Sequence, residues 1–141
     1  MILSIAIGYV LPWVFTTTYA CPQKCSCRNT RLGIRVSCVS RNILNFPNNI
    51  PKATWYLNLE NNAICRLHRH NFAGLPKLRI LDLANISLSS LDSDTFIDLK
   101  NLISLSLSQN KLSVLEKGTF SSLHKLHFLG LASNYLISVD A

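Results

Sequence analysis

Four cysteines, Cys21, Cys25, Cys27 and Cys38, crowd into "CPQKCSCRNTRLGIRVSC". Thiols at this density either oxidise to disulfides or hold a metal. Cys25-Ser26-Cys27 leaves a single residue between its thiols. That is tight for a chelating pair, which ordinarily has two to four residues between. Disulfides are therefore expected, and four cysteines allow three pairings among which spacing does not choose. A staple is also needed, because so short a segment buries too little apolar surface to hold itself together.

Cys65 stands in "ICRLHRH" beside His68 and His70. The trio invites a metal site or a thiolate activated by histidine. The first lacks a fourth protein ligand, and the second lacks an acid to orient the base. Cys65 reads better as a free thiol or as one half of an intermolecular disulfide. His124 and His127 are scattered and carry no ligand spacing. Paired carboxylates and phosphate-cradling loops are absent from the sequence. The expectation is a chain that is not an enzyme, with no catalytic, metal or cofactor residues.

Disulfides imply an oxidising compartment. Residues 1–20, "MILSIAIGYVLPWVFTTTYA", carry no charge and run apolar from Ile2 to Phe15. They read as a secretory signal peptide cleaved before Cys21. The stretch is short for a membrane span, and Pro12 interrupts it. An uncleaved anchor and a lipidated Cys21 are the alternatives, the latter without the aliphatic residue usual before such a cysteine. No membrane span follows residue 20. The product should be extracellular, either secreted or the ectodomain of a membrane protein.

Net charge is +7, from 14 Lys/Arg against 7 Asp/Glu. The imbalance is local, since Lys24, Arg28, Arg31, Arg35, Arg41 and Lys52 all precede the first acid, Glu60. This basic patch is either a solvated end or a surface that steers an acidic glycan or acidic protein toward it. No nucleic-acid partner is expected, because aromatic and basic residues do not alternate.

The elements that must position these groups come from a repeat. At steps of twenty-four residues, four rows begin at Thr54, Leu78, Leu102 and Leu126: "TWYLNLENNAICRL", "LRILDLANISLSSL", "LISLSLSQNKLSVL" and "LHFLGLASNYLISV". Apolar residues recur at the first, fourth, sixth, eleventh and fourteenth places, with Thr54 the departure. Phe72, Phe96 and Phe120 share a later column, and Leu75, Leu99 and Leu123 another. The alternating part of each row is a short strand with alternate side chains turned inward. Stacked rows bury one another's leucines and pair into a parallel sheet. Asn62, Asn110 and Asn134 follow the strands, where interior backbone groups at a turn need an amide that both donates and accepts. In row two Ile86 fills that place and Asn85 sits one residue early, so Asn85 should point outward. It heads the only N-x-S/T sequon, "NIS", a glycosylation site.

These rows resemble the extracellular leucine-rich repeat family. Residues 21–53, with C-P-x-x-C-x-C, a later cysteine and "FPNNIPKAT", resemble the cysteine-rich N-terminal flank of its members. The resemblance implies an α/β-type repeat solenoid: a right-handed horseshoe segment with short parallel strands on its concave face and an N-terminal disulfide cap. Residues 1–20 would be the signal peptide, 21–53 the flank and 54–141 the repeats. It further implies the pairs Cys21–Cys27 and Cys25–Cys38, and an extracellular protein partner on the concave face, where Tyr56, Asn58, Glu60, Ile80, Asp82, Ser104, Ser106 and Phe128 point outward. An acidic glycan bound by the basic flank is the alternative. Row four is incomplete and a cysteine-rich C-terminal flank is missing, so its leucines should be half covered. Fraying, self-association through that edge or through Cys65, or a need for residues beyond Ala141 is expected.

Overall fold

The structure, a computed structural model, describes residues 19–139, without the side chains of Ser138 and Val139. The expected leader thus lies outside the described residues, apart from Tyr19 and Ala20.

The chain opens with two antiparallel strands, β1 (Ser26–Thr30) and β2 (Gly33–Ser37), joined by a tight turn at Arg31 and Leu32. Gly33 is required at its end: its φ is +126°, and a Cβ there would stand 2.3 Å from the Ala53 carbonyl oxygen. Cys21 bonds Cys27, and Cys25 bonds Cys38, the pairs the resemblance implies. The second of these ties the chain before β1 to the buried strand end after β2.

Four repeat strands follow: β3 (Thr54–Asn58), β4 (Ile80–Asp82), β5 (Ser104–Ser106) and, after a short outer strand β6 (Val114–Leu115), β7 (Phe128–Gly130). They pair parallel in one six-stranded sheet of order β1-β2-β3-β4-β5-β7, while β6 pairs with β8 (Ser138–Val139) in a second, two-stranded sheet. A solenoid of about four turns results. Its return arms are turns, except for the four-residue helix α1 (Arg69–Phe72).

Packing follows the columns. Leu57, Leu81 and Leu105 are fully buried in one, and Leu59, Leu83 and Leu107 in the next. Phe72 and Phe96 stand 5.7 Å apart, and Phe96 and Phe120 stack at 6.2 Å. Phe46 extends this spine edge-on to Phe72 at 5.2 Å. Row four is less covered: Leu126, Leu129, Leu131 and Leu136 are only partly buried against the core.

The asparagine ladder explains how the turns stay dry. Asn110 Oδ1 accepts from the Ile86 and Leu88 N–H groups at 3.1 and 3.0 Å. Its Nδ2 donates to the Leu83 and Leu107 carbonyls at 2.8 and 3.0 Å. Asn62 repeats this toward Arg41, Ile43, Cys38 and Leu59. One residue earlier, Asn61, Asn85, Gln109 and Ser133 all take positive φ, between 51° and 58°. Asparagine tolerates that left-handed conformation better than most residues.

Row two departs where Ile86 replaces the ladder amide. Ile86 is fully buried, and the Asn62 and Ile64 N–H groups that an amide there would serve have no acceptor among the described residues. Ser87 also takes a positive φ, 66°, and does not make the turn bond that Ala63, Lys111 and Tyr135 make to the row before. Apolar packing replaces hydrogen bonding at this turn, at a cost of about 1–3 kcal/mol per orphaned group.

Candidate functional site

Outward residues of the six-stranded sheet form lateral lanes, because parallel register sets equivalent places side by side. One lane runs Arg28, Arg35, Tyr56, Ile80, Ser104, Phe128, and its neighbour runs Ser26, Ser37, Asn58, Asp82, Ser106, Gly130. Behind them lies the fully buried leucine core, so the lanes sit on a rigid support.

The first lane carries the recognisable chemistry. Phe128 is 57% exposed. A side chain at Gly130 would lie 3.3 Å from its ring, so the glycine leaves room for the ring to lean along the sheet. Tyr56 and Ile80 are half-buried. Asn58 Nδ2 donates to the Tyr56 hydroxyl at 3.3 Å, and the Trp55 indole packs edge-on to the Tyr56 ring. The Arg35 guanidinium sits over the Tyr56 ring, 3.9 Å from its centroid. A cation over an aromatic face is attracted by the ring quadrupole.

The second lane is partly committed to the fold. Asn58 is only 8% exposed, and its Oδ1 accepts from the Glu60 N–H at 2.8 Å. Asp82 Oδ1 does the same for Ala84 at 3.0 Å. These side chains cap their own strand ends, which outward spacing alone does not reveal. Ser104 and Ser106 are half-buried on the same sheet, and Glu60, two residues beyond β3, is half-buried too.

The basic residues are divided. Arg28 and Arg35 line one shallow groove with Ser26, Cys27 and Ser37. Arg31 lies in the β1–β2 turn, Lys24 lines another hollow beside Cys21 and Phe46, and Arg41 donates its backbone N–H to Asn62.

Elsewhere, a groove collects His68, Arg69, His70, Asp92, Asp94 and Asp98. His68 and His70 stack at 5.4 Å, and His68 Nδ1 is 3.4 Å from Asp92 Oδ2. Arg69 forks onto Asp98 at 2.9 and 3.2 Å. That hydrogen bonding holds the Asp98 carboxyl below its usual range and raises Arg69. Cys65 is exposed and does not line this groove. Among the described residues no His/Cys/Asp/Glu group is placed to hold a metal ion, and no helix is long and apolar enough to cross a membrane. Asn85 is exposed, and its Nδ2 donates to Asn61 Oδ1 at 2.8 Å.

A leucine rich repeat family profile matches residues 76–136. The ladder, the columns and the stapled flank agree with that match. Residues 76–136 are leucine-rich repeats, and with its stapled flank the chain fits a leucine-rich repeat protein. Leucine-rich repeat-containing protein 3 of Rattus norvegicus is 40% identical over 65 residues, which are 46% of this chain and 25% of that relative. The chain thus spans about a quarter of that relative's length. Human 5T4 (Wnt-activated inhibitory factor 1, trophoblast glycoprotein) matches with a TM-score of 0.73 at 30% identity, over 84% of this chain and 43% of that one. A structure of the Toll–Spatzle complex of Drosophila matches with a TM-score of 0.64 at 26% identity, over 70% of this chain and 13% of that one. Repeats of this kind form a protein-interaction module.

Proposed function

We propose that this leucine-rich repeat protein acts outside the cell, secreted or as an ectodomain after loss of residues 1–20, and recognises a protein partner on its concave sheet. The observation that carries the reading is the lane of Tyr56, Ile80 and Phe128, half-buried at the first two and exposed at the third, on a rigid sheet. Aromatic residues held in this way are the usual anchors of protein interfaces. The Toll–Spatzle complex, similar in fold, is an assembly of that general kind. Two disulfides fit an oxidising compartment. A glycan-binding basic flank is favoured less, because of its basic residues only Arg28 and Arg35 line one groove.

The test is binding of the multimerised full chain to a panel of cultured cells. Tyr56→Ala with Phe128→Ala should lower binding about 10-fold or more, as loss of anchor residues does. Lys117→Ala on a return arm should leave it unchanged. Equal losses from both would refute a concave site.

A further inference from the structure

Arg28 and Arg35 are direct cross-strand partners in β1 and β2, so their side chains leave the same face of the sheet. Like charges placed opposite one another repel. Among the described residues, neither arginine has a carboxylate within ion-pairing distance; the two ion pairs are His68–Asp92 and Arg69–Asp98. Both arginines are exposed, and the groove they line also includes Ser26 and Ser37, themselves cross-strand partners. Arg35 is held at one place by Tyr56, whose hydroxyl is in turn held by Asn58. A guanidinium stacked on a ring keeps its edge N–H groups free, in the fork geometry that matches a carboxylate. This is a repulsive pair, one member preorganised, opening onto the same lane as Tyr56 and Ile80.

We propose that Arg28 and Arg35 form a clamp for an acidic side chain of the protein partner, a glutamate or aspartate carboxylate that completes the pair. The proposal rests on the concave-sheet reading above and names the partner's chemistry. Neighbouring strands lie about 4.8 Å apart, so Ile80 is roughly 12 Å along the lane from the clamp. An extended chain advances about 3.4 Å per residue. Alternate side chains of an extended chain share a face, so the partner segment carries an apolar residue about four positions from its acidic one, the first seated on Tyr56 and Ile80 and the second between the arginines.

The experiment uses the full chain and a capped peptide, Gly-Glu-Gly-Ser-Gly-Leu-Gly, with its Gln-for-Glu counterpart and a heparin hexasaccharide as further probes. Arginine Nε–H and tyrosine ring NMR signals are followed during titration. The Glu peptide should shift Arg28, Arg35 and Tyr56 saturably at about millimolar concentration, and less as salt rises. The Gln peptide, Arg28→Gln and Arg35→Gln should each weaken binding about 5-fold or more. Arg35→Lys should weaken it too, since lysine keeps the charge without the planar fork. Equal binding of Glu and Gln peptides, no saturable shift, or clamp signals saturated only by the hexasaccharide would overturn the proposal. In the cell-binding assay, loss with Tyr56→Ala and Phe128→Ala but not with Arg28→Gln and Arg35→Gln would overturn the clamp and leave the concave site standing.

Discussion

Asn110→Ala should be among the most damaging single truncations in the repeats. Asn110 is 3% exposed and serves five backbone groups in two rows. Leu107's carbonyl would keep a second donor, Asn134 Nδ2 at 2.9 Å. The N–H groups of Ile86 and Leu88 and the carbonyl of Leu83 would face a methyl group. Each orphaned buried group costs about 1–3 kcal/mol, and water entering the gap recovers part of that. A net loss of about 3–5 kcal/mol follows, a large share of the roughly 5–15 kcal/mol that holds a domain folded. Asn134→Ala should cost about 1 kcal/mol, because Asn134 is half-buried and water reaches its partners. Urea unfolding gives the ratio, and native-state amide exchange should show Ile86 and Leu88 losing protection first. A loss below about 1 kcal/mol at Asn110, with those two amides as protected as before, would refute the ladder account.

Other outcomes are equally specific. Non-reducing peptide mapping should give Cys21–Cys27 and Cys25–Cys38 with Cys65 unpaired, and removing Cys25–Cys38, which spans 13 residues, should cost about 3 kcal/mol; a Cys65 cross-pair would contradict this. The Asp98 carboxyl should titrate below the ordinary aspartate range because Arg69 hydrogen-bonds its charged form. Its contribution to stability is then present above the unfolded value of about 3.9 and is lost as pH falls through the lower folded value. Arg69→Ala should return the NMR midpoint of Asp98 to the ordinary range, and an unmoved midpoint would count against the pairing. Protein made in a eukaryotic secretory host should carry a glycan at Asn85 that Asn85→Gln removes, and an unmodified Asn85 would show that the strained Ile86–Ser87 turn resists transfer.

The repeat was legible because each row buries the same places. A period of twenty-four is written in Leu57, Leu81 and Leu105 and again in Phe72, Phe96 and Phe120. Phe46 escaped because it joins the spine from 26 residues before Phe72, outside the period. The first parallel pairing escaped likewise, since Val36 lies beside Leu57 at an offset of 21. The left-handed column of Asn61, Asn85, Gln109 and Ser133 shares a backbone angle but not one residue type throughout, so composition does not display it. At the candidate site, alternation located the outward lane of Tyr56, Ile80 and Phe128. It could not tell that Asn58 and Asp82 bend back to cap N–H groups two residues on, because capping depends on side-chain rotation. Nor could it pair Arg28 with Arg35, which a turn brings together from seven residues apart.

Site-specific photocrosslinking of the full chain on cells tests the concave-sheet claim most directly. A benzophenone amino acid would replace Tyr56, Ile80 or Phe128 in turn, and Lys117 or Ser121 on a return arm for comparison. The account predicts that one protein of constant mass is captured from all three lane positions and from neither return-arm position. Capture from the return arm alone would contradict it.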